Sequence, residues 1–177
     1  MGAVGAMEFF VRDGAAVGGR LTYAEEDHGF RFEAGSREEL AGRLGDRGVT
    51  SVVLDTLQLE VDIASGDVLF AWGYFPLEAA ETGELVVPEA REGRVRVVDE
   101  EPFEPGVSVG VPGERWRTSY DRTTGVVAVR LREAADAVFV RIADGVVLGV
   151  DGAELVAVWL GEENRLARGV GGGTIRG

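Results

Sequence analysis

The sequence predicts a mainly β fold, either an antiparallel barrel or a sandwich, and three observations carry that prediction. In Leu57-Gln58-Leu59-Glu60-Val61-Asp62-Ile63 four apolar side chains alternate with three polar ones. That is the period-two signature of a strand with one buried face. Similar short segments recur along most of the chain, separated by Gly, Asp and Pro turn signals. Only one stretch carries a helix signature. At 177 residues the chain is long enough to bury one sizeable core. No linker divides it, so one domain is expected over 1–168, followed by a Gly-rich flexible tail over 169–177.

Taken in order, residues 7–12, 20–23 and 30–33 read as the first three strands. Ser36 with Glu39 forms a capping box, and Leu40 and Leu44 lie one turn apart, which predicts a helix over about 36–45 ended by Gly45 or Gly48. The strand over 57–63 leads through Ala64-Ser65-Gly66-Asp67, a hairpin loop, into 68–74. The middle is less regular. Loops are expected at 75–83, 88–93 and 99–106, with strands at 85–87, 94–98 and 107–111 between them. Strands at 115–120, 126–131, 137–142, 146–150 and 155–160 complete the chain, and Asp151-Gly152 marks a tight hairpin between the last two.

The composition excludes several kinds of chemistry. The formal charge is −13, all 18 cations are Arg, there is no Cys, and His28 is the one histidine. Without Cys or Lys there is no disulfide framework, thiolate nucleophile, zinc ribbon, side-chain Schiff base or P-loop lysine. No serine has a nucleophile-elbow context. Neither a metal nor a cofactor is expected. The bias toward Arg, Ala, Gly and Val suggests a GC-rich bacterial genome. Strong acidity argues against nucleic acid and anionic membranes as partners. No apolar run reaches the ~20 residues needed to span a bilayer, and residues 1–6 lack a signal-peptide pattern, so a cytoplasmic protein is expected. The charge is uneven, with 6 Arg against 16 acids over 1–88 and 12 Arg against 15 over 89–177.

One eight-residue pattern occurs twice. Val61-Asp62-Ile63-Ala64-Ser65-Gly66-Asp67-Val68 parallels Tyr120-Asp121-Arg122-Thr123-Thr124-Gly125-Val126-Val127, 59 positions later. A duplicated β unit accounts for this, and so does shared turn chemistry, in which Asp caps the turn and Gly takes positive φ. Residues 120–160 carry a second pattern: Tyr120-Asp121, then Asp144-Gly145-Val146-Val147-Leu148-Gly149-Val150-Asp151, then a closing hairpin through Leu155-Val156-Ala157-Val158-Trp159-Leu160. This stretch resembles a small uncharacterised bacterial β-domain family, whose pattern has Asp at the position of Gly149. The resemblance implies a β hairpin arrangement and brings no functional residues with it.

Three groups are candidates for function. Glu60 and Asp62, with Gln58, form the polar face of their strand. If that face lines a barrel, an Arg such as Arg94, Arg96, Arg115 or Arg117 would pair with it and tune a carboxylate for acid–base work. If the apolar face is core, the polar face meets water, which is the expectation adopted here. His28, in Glu25-Glu26-Asp27-His28, is a weak candidate base in an acidic hairpin loop. Trp72 and Tyr74 share one strand face by alternation, as do Trp116 and Tyr120; with Arg117 they suit a ligand cavity or an interface, and the aromatics equally suit an ordinary core.

Two functions follow. One is an acidic, soluble, non-catalytic binding module, immunity- or antitoxin-like, that docks on a basic partner surface. The other is a small β-barrel enzyme or carrier, cyclase-like, that binds an apolar metabolite in an aromatic-lined cavity.

Overall fold

The computed structural model of the protein describes residues 7–112 and 115–167, and these are mainly β. The expected tail, 169–177, lies outside the described residues. The strands are β1 (Glu8–Arg12), β2 (Gly19–Ala24), β3 (Gly29–Ala34), β4 (Val49–Leu54), β5 (Leu57–Asp62), β6 (Val68–Tyr74), β7 (Glu81–Thr82), β8 (Arg91–Glu92), β9 (Arg94–Val98), β10 (Val109–Gly110), β11 (Arg117–Tyr120), β12 (Val127–Arg130), β13 (Val138–Ala143), β14 (Val146–Asp151) and β15 (Glu154–Leu160). Two short helices, α1 (Arg37–Arg43) and α2 (Glu163–Ala167), complete the elements.

The strands form three sheets. A six-stranded sheet runs β10-β4-β5-β6-β3-β2, a seven-stranded sheet runs β7-β11-β12-β15-β14-β13-β8, and β1 pairs with β9. Each sheet is open, so the described residues form no closed barrel. Most pairings are antiparallel; the short outer strands β10, β7 and β8 pair in parallel with β4, β11 and β13. One core cluster draws on all three sheets. It includes Leu57, Leu59 and Val61 of β5, Leu148 of β14, Val158 and Leu160 of β15, and Phe9 and Val95 of the β1–β9 pair. Burying this apolar surface is the main stabilising term.

The outer face of the seven-stranded sheet is also covered. Val126, Ala128, Val147, Ala157 and Trp159 pack beneath Leu85, Val87 and Ala90, with Leu166 of α2 beside them. This explains why β14 and β15 read as nearly continuous apolar runs rather than as alternating ones. The covering segment is a strap. Tyr120 O accepts from Gly83 N at 3.1 Å, and Asp121 Oδ2 accepts from Leu85 N at 3.1 Å.

Several expectations need correction. Residues 85–87 form no strand, because they pack side-on over a sheet face instead of extending a ladder. Strand β4, absent from the sequence reading, pairs along its whole length with β5 through a two-residue turn at Asp55-Thr56. The helix near 36–45 is present, and Ser36 caps it by accepting from Glu39 N at 3.1 Å. It ends at Leu44 in extended conformation, not on a left-handed glycine. A second helix, α2, follows β15. The short strands β7 and β8 occupy stretches expected to be loop.

The two copies of the repeated pattern fold alike. Gly66 and Gly125 both have φ of +77°, and each donates its N–H to the carbonyl of its Asp, at 2.7 and 2.8 Å. Asp62 accepts from Ser65 N at 3.1 Å, and Asp121 accepts from Thr123 N at 3.0 Å.

Candidate functional site

On β5 the apolar side chains Leu57, Leu59 and Val61 are buried, as alternation requires. The polar face is less exposed than expected. Gln58 and Glu60 are half-buried, and Asp62 is buried. Trp72 lies beside this row because Gln58 pairs with Trp72 across the ladder, and its Nε1 donates to Glu60 Oε2 at 2.6 Å. Burial pushes the Glu60 carboxyl above the usual carboxylate range, while the Trp72 bond pulls it back. The arginines considered as partners lie elsewhere: Arg117 pairs with Glu81 at 3.1 Å and Arg94 with Asp67 at 3.7 Å. Asp62 is a structural group. Its Oδ1 accepts from Gly45 N at 2.9 Å, and its Oδ2 accepts from Ser65 N at 3.1 Å and Ser65 Oγ at 2.8 Å.

His28 sits in the exposed β2–β3 turn with φ of +49°. Its backbone works structurally, donating to Glu25 O at 3.3 Å and accepting from Phe75 N at 2.7 Å. Among the described residues no three His, Asp or Glu converge as a metal site.

The predicted aromatics do not form one wall. Tyr74 is exposed, Trp72 faces Glu60, and Trp116 packs on the core with its Nε1 buried and without an acceptor. Tyr120 alone enters a cleft, of about 410 Å³, where the β2–β3 hairpin, the β11–β12 turn and α2 meet. Its apolar lining is Leu21, Tyr23, Phe30, Leu77, Tyr120 and Val127, and its polar rim is Glu25, Thr123, Thr124, Glu162 and Arg165. Register builds the wall. Tyr23 lies opposite Phe30 on the β2–β3 ladder, and their rings meet edge to face at 5.0 Å. The Tyr23 hydroxyl donates to Phe75 O at 3.0 Å and so holds the loop that carries Leu77. Burial raises the Tyr23 pKa, and Tyr120, Glu25 and Glu78 add to the rise. Sequence reading took Tyr23 and Phe30 only as strand members, since their pairing depends on a turn whose register is invisible in one sequence.

A second feature is strongly acidic. Asp99, Glu100, Glu101 and Glu104 border a groove of about 560 Å³, whose apolar lining includes Met7, Pro102, Val107, Val109 and Pro112. Among the described residues no Arg lines it. The segment is tied to β4: the Thr50 hydroxyl donates to Val107 O, and Val111 N donates to Val53 O at 2.8 Å. Within its sheet β10 has β4 on one side and no strand on the other among the described residues. The groove carboxylates come from one short run of sequence, residues 99–104, in the half of the chain with the smaller net charge.

No protein-family model matches the chain, and no curated protein matches it significantly. Among the described residues no helix is long and apolar enough to cross a membrane.

Proposed function

We propose that the chain is an acidic, non-catalytic docking module, immunity- or antitoxin-like, on a sandwich-like β scaffold of one domain. It seats a basic segment of a partner protein in the groove beside β10. One observation carries this reading: four carboxylates and an apolar lining share a groove beside the edge of β10 that has no further strand among the described residues. A segment that alternates Arg or Lys with apolar residues would satisfy all three elements. Its backbone would extend the sheet, its apolar side chains would cover Val107 and Val109, and its cations would meet the carboxylates. The overall charge of −13 adds long-range attraction.

The test is a titration with an extended peptide of alternating Lys and Val, repeated with Glu100→Gln/Glu101→Gln/Glu104→Gln. The triple variant is expected to weaken binding at least about tenfold at low salt and to flatten the salt dependence. Equal binding by both proteins would overturn the proposal.

A second reading, a carrier for a small molecule, rests on the Tyr120-lined cleft. Its volume of about 410 Å³ is within the range of ligand sites.

A further inference from the structure

The cleft has a chemistry more specific than that of an apolar container. Three aromatic rings, those of Tyr23, Phe30 and Tyr120, line its walls. Aromatic faces carry negative potential and attract ammonium groups, more strongly when water is partly excluded. Among the described residues the charged rim holds two carboxylates, Glu25 and Glu162, against one guanidinium, Arg165. A third carboxylate, Glu78, adjoins the wall residue Leu77 and acts on the Tyr23 hydroxyl in the same direction as Glu25. The field of the protein as a whole is negative as well. An anionic ligand could use Arg165, but would bring its charge toward Glu25 and Glu162 and toward the aromatic rings. A neutral apolar ligand would leave the rim carboxylates unused. A cation would satisfy both walls and rim.

We infer that the cleft between the β2–β3 hairpin, the β11–β12 turn and α2 binds a small organic cation. The ligand class is an amine or alkylated ammonium on an aromatic or short aliphatic body. The body would lie against Phe30 and Leu77, and the charge would face Tyr120, Glu25 and Glu162. This inference rests on the second reading above, that the cleft takes a small molecule.

The experiment compares three probes of similar size: 2-phenylethylammonium, the neutral 2-phenylethanol and the anionic phenylacetate. Binding to the full chain is followed by NMR shifts at Tyr23, Phe30 and Tyr120. The cation is expected to bind with about millimolar affinity, about tenfold tighter than the alcohol, with the anion weakest. Glu25→Gln/Glu162→Gln changes two rim groups outside the core, so the fold is retained. It is expected to weaken the cation about tenfold and to leave the alcohol unchanged. Tyr120→Leu keeps apolar volume without a π face and is expected to weaken the cation more than the alcohol. If the alcohol or phenylacetate binds as tightly as the cation, the cationic class is wrong while the small-molecule reading stands. If no probe at about 10 mM shifts the three aromatics, both are overturned.

Discussion

Replacing Asp62 with Ala removes the acceptor of three hydrogen bonds at once, from Gly45 N, Ser65 N and Ser65 Oγ, at 2.9, 3.1 and 2.8 Å. Asp62 is 1% exposed, so water does not readily replace it. Bonds to a charged acceptor contribute about 1.5–3 kcal/mol each, and part of that is offset by the cost of keeping a carboxylate buried. A net loss of about 3–5 kcal/mol follows for Asp62→Ala, a large share of the 5–15 kcal/mol typical of a domain. The Ser65 hydroxyl, which also accepts from Asp67 N at 3.1 Å, would lose its orientation in the same step. Asp62→Asn retains one acceptor oxygen and is expected to cost roughly half as much. Urea unfolding of the three proteins, with the slope held as a check on two-state behaviour, measures the series. A loss below about 1 kcal/mol for Asp62→Ala would refute the reasoning, because the turn would then be stable without its cap.

Other substitutions test the same strand and the glycine turns. Leu59→Ala, at a fully buried position, is expected to cost about 2–5 kcal/mol in the same melts. Glu60→Gln is expected to change stability by no more than about 1 kcal/mol, since half of the side chain still meets water. Its pH dependence has a definite sign. The folded-state pKa is raised, so ionisation of Glu60 costs stability as pH rises through that value, and the cost is absent below the unfolded pKa. Wild type should therefore gain on Glu60→Gln as pH falls, and unfolding series at neutral and acid pH will show whether the gap moves that way. Gly145→Ala places a Cβ 2.5 Å from Gly161 O and 2.9 Å from Leu21 Cβ at φ +84°, whereas at Gly152, φ +62°, a Cβ meets nothing within 4 Å. Losses of about 2–4 and about 1 kcal/mol are expected, and equal losses would show that strain at φ alone decides both.

The parts of the fold that could be read from sequence were those governed by local rules. Alternation identified β5, the Ser36–Glu39 pair identified the start of α1, and Asp151-Gly152 identified the β14–β15 hairpin. Several of the failures concern contacts distant in sequence. Leu85 and Val87 have strand-like side chains, but the surface they cover is assembled from β12, β14 and β15. The β-branched run of β4 went unread beside the stronger alternation of β5. For function, Glu60 was identifiable as a polar residue on an apolar strand, yet its half-burial depends on Trp72 twelve residues away. The cleft was harder still: only Tyr120 was singled out, while Tyr23, Phe30 and the α2 rim enter it through register and chain crossing. The acidic groove was obscured because net charge was counted by halves of the chain, whereas its carboxylates lie in one loop.

The strap over the seven-stranded sheet also determines which part of the molecule opens first. Two backbone donors, Gly83 N and Leu85 N, fasten it to Tyr120 O and the Asp121 carboxylate. The Asp121 pKa is lowered, chiefly by the Leu85 bond and then by those from Thr124 and Thr123, against the opposing effect of burial. When the carboxylate is protonated the fastening loses its charge, and the strap becomes the segment able to leave while the inter-sheet core stays closed. Its departure would uncover Trp159 together with Val126 and Val147, an apolar surface on a sheet that otherwise exposes little. Amide exchange on Leu85 and the emission of Trp159 would therefore respond together to acid, ahead of global unfolding. In that partly opened form the protein would be most prone to associate with itself.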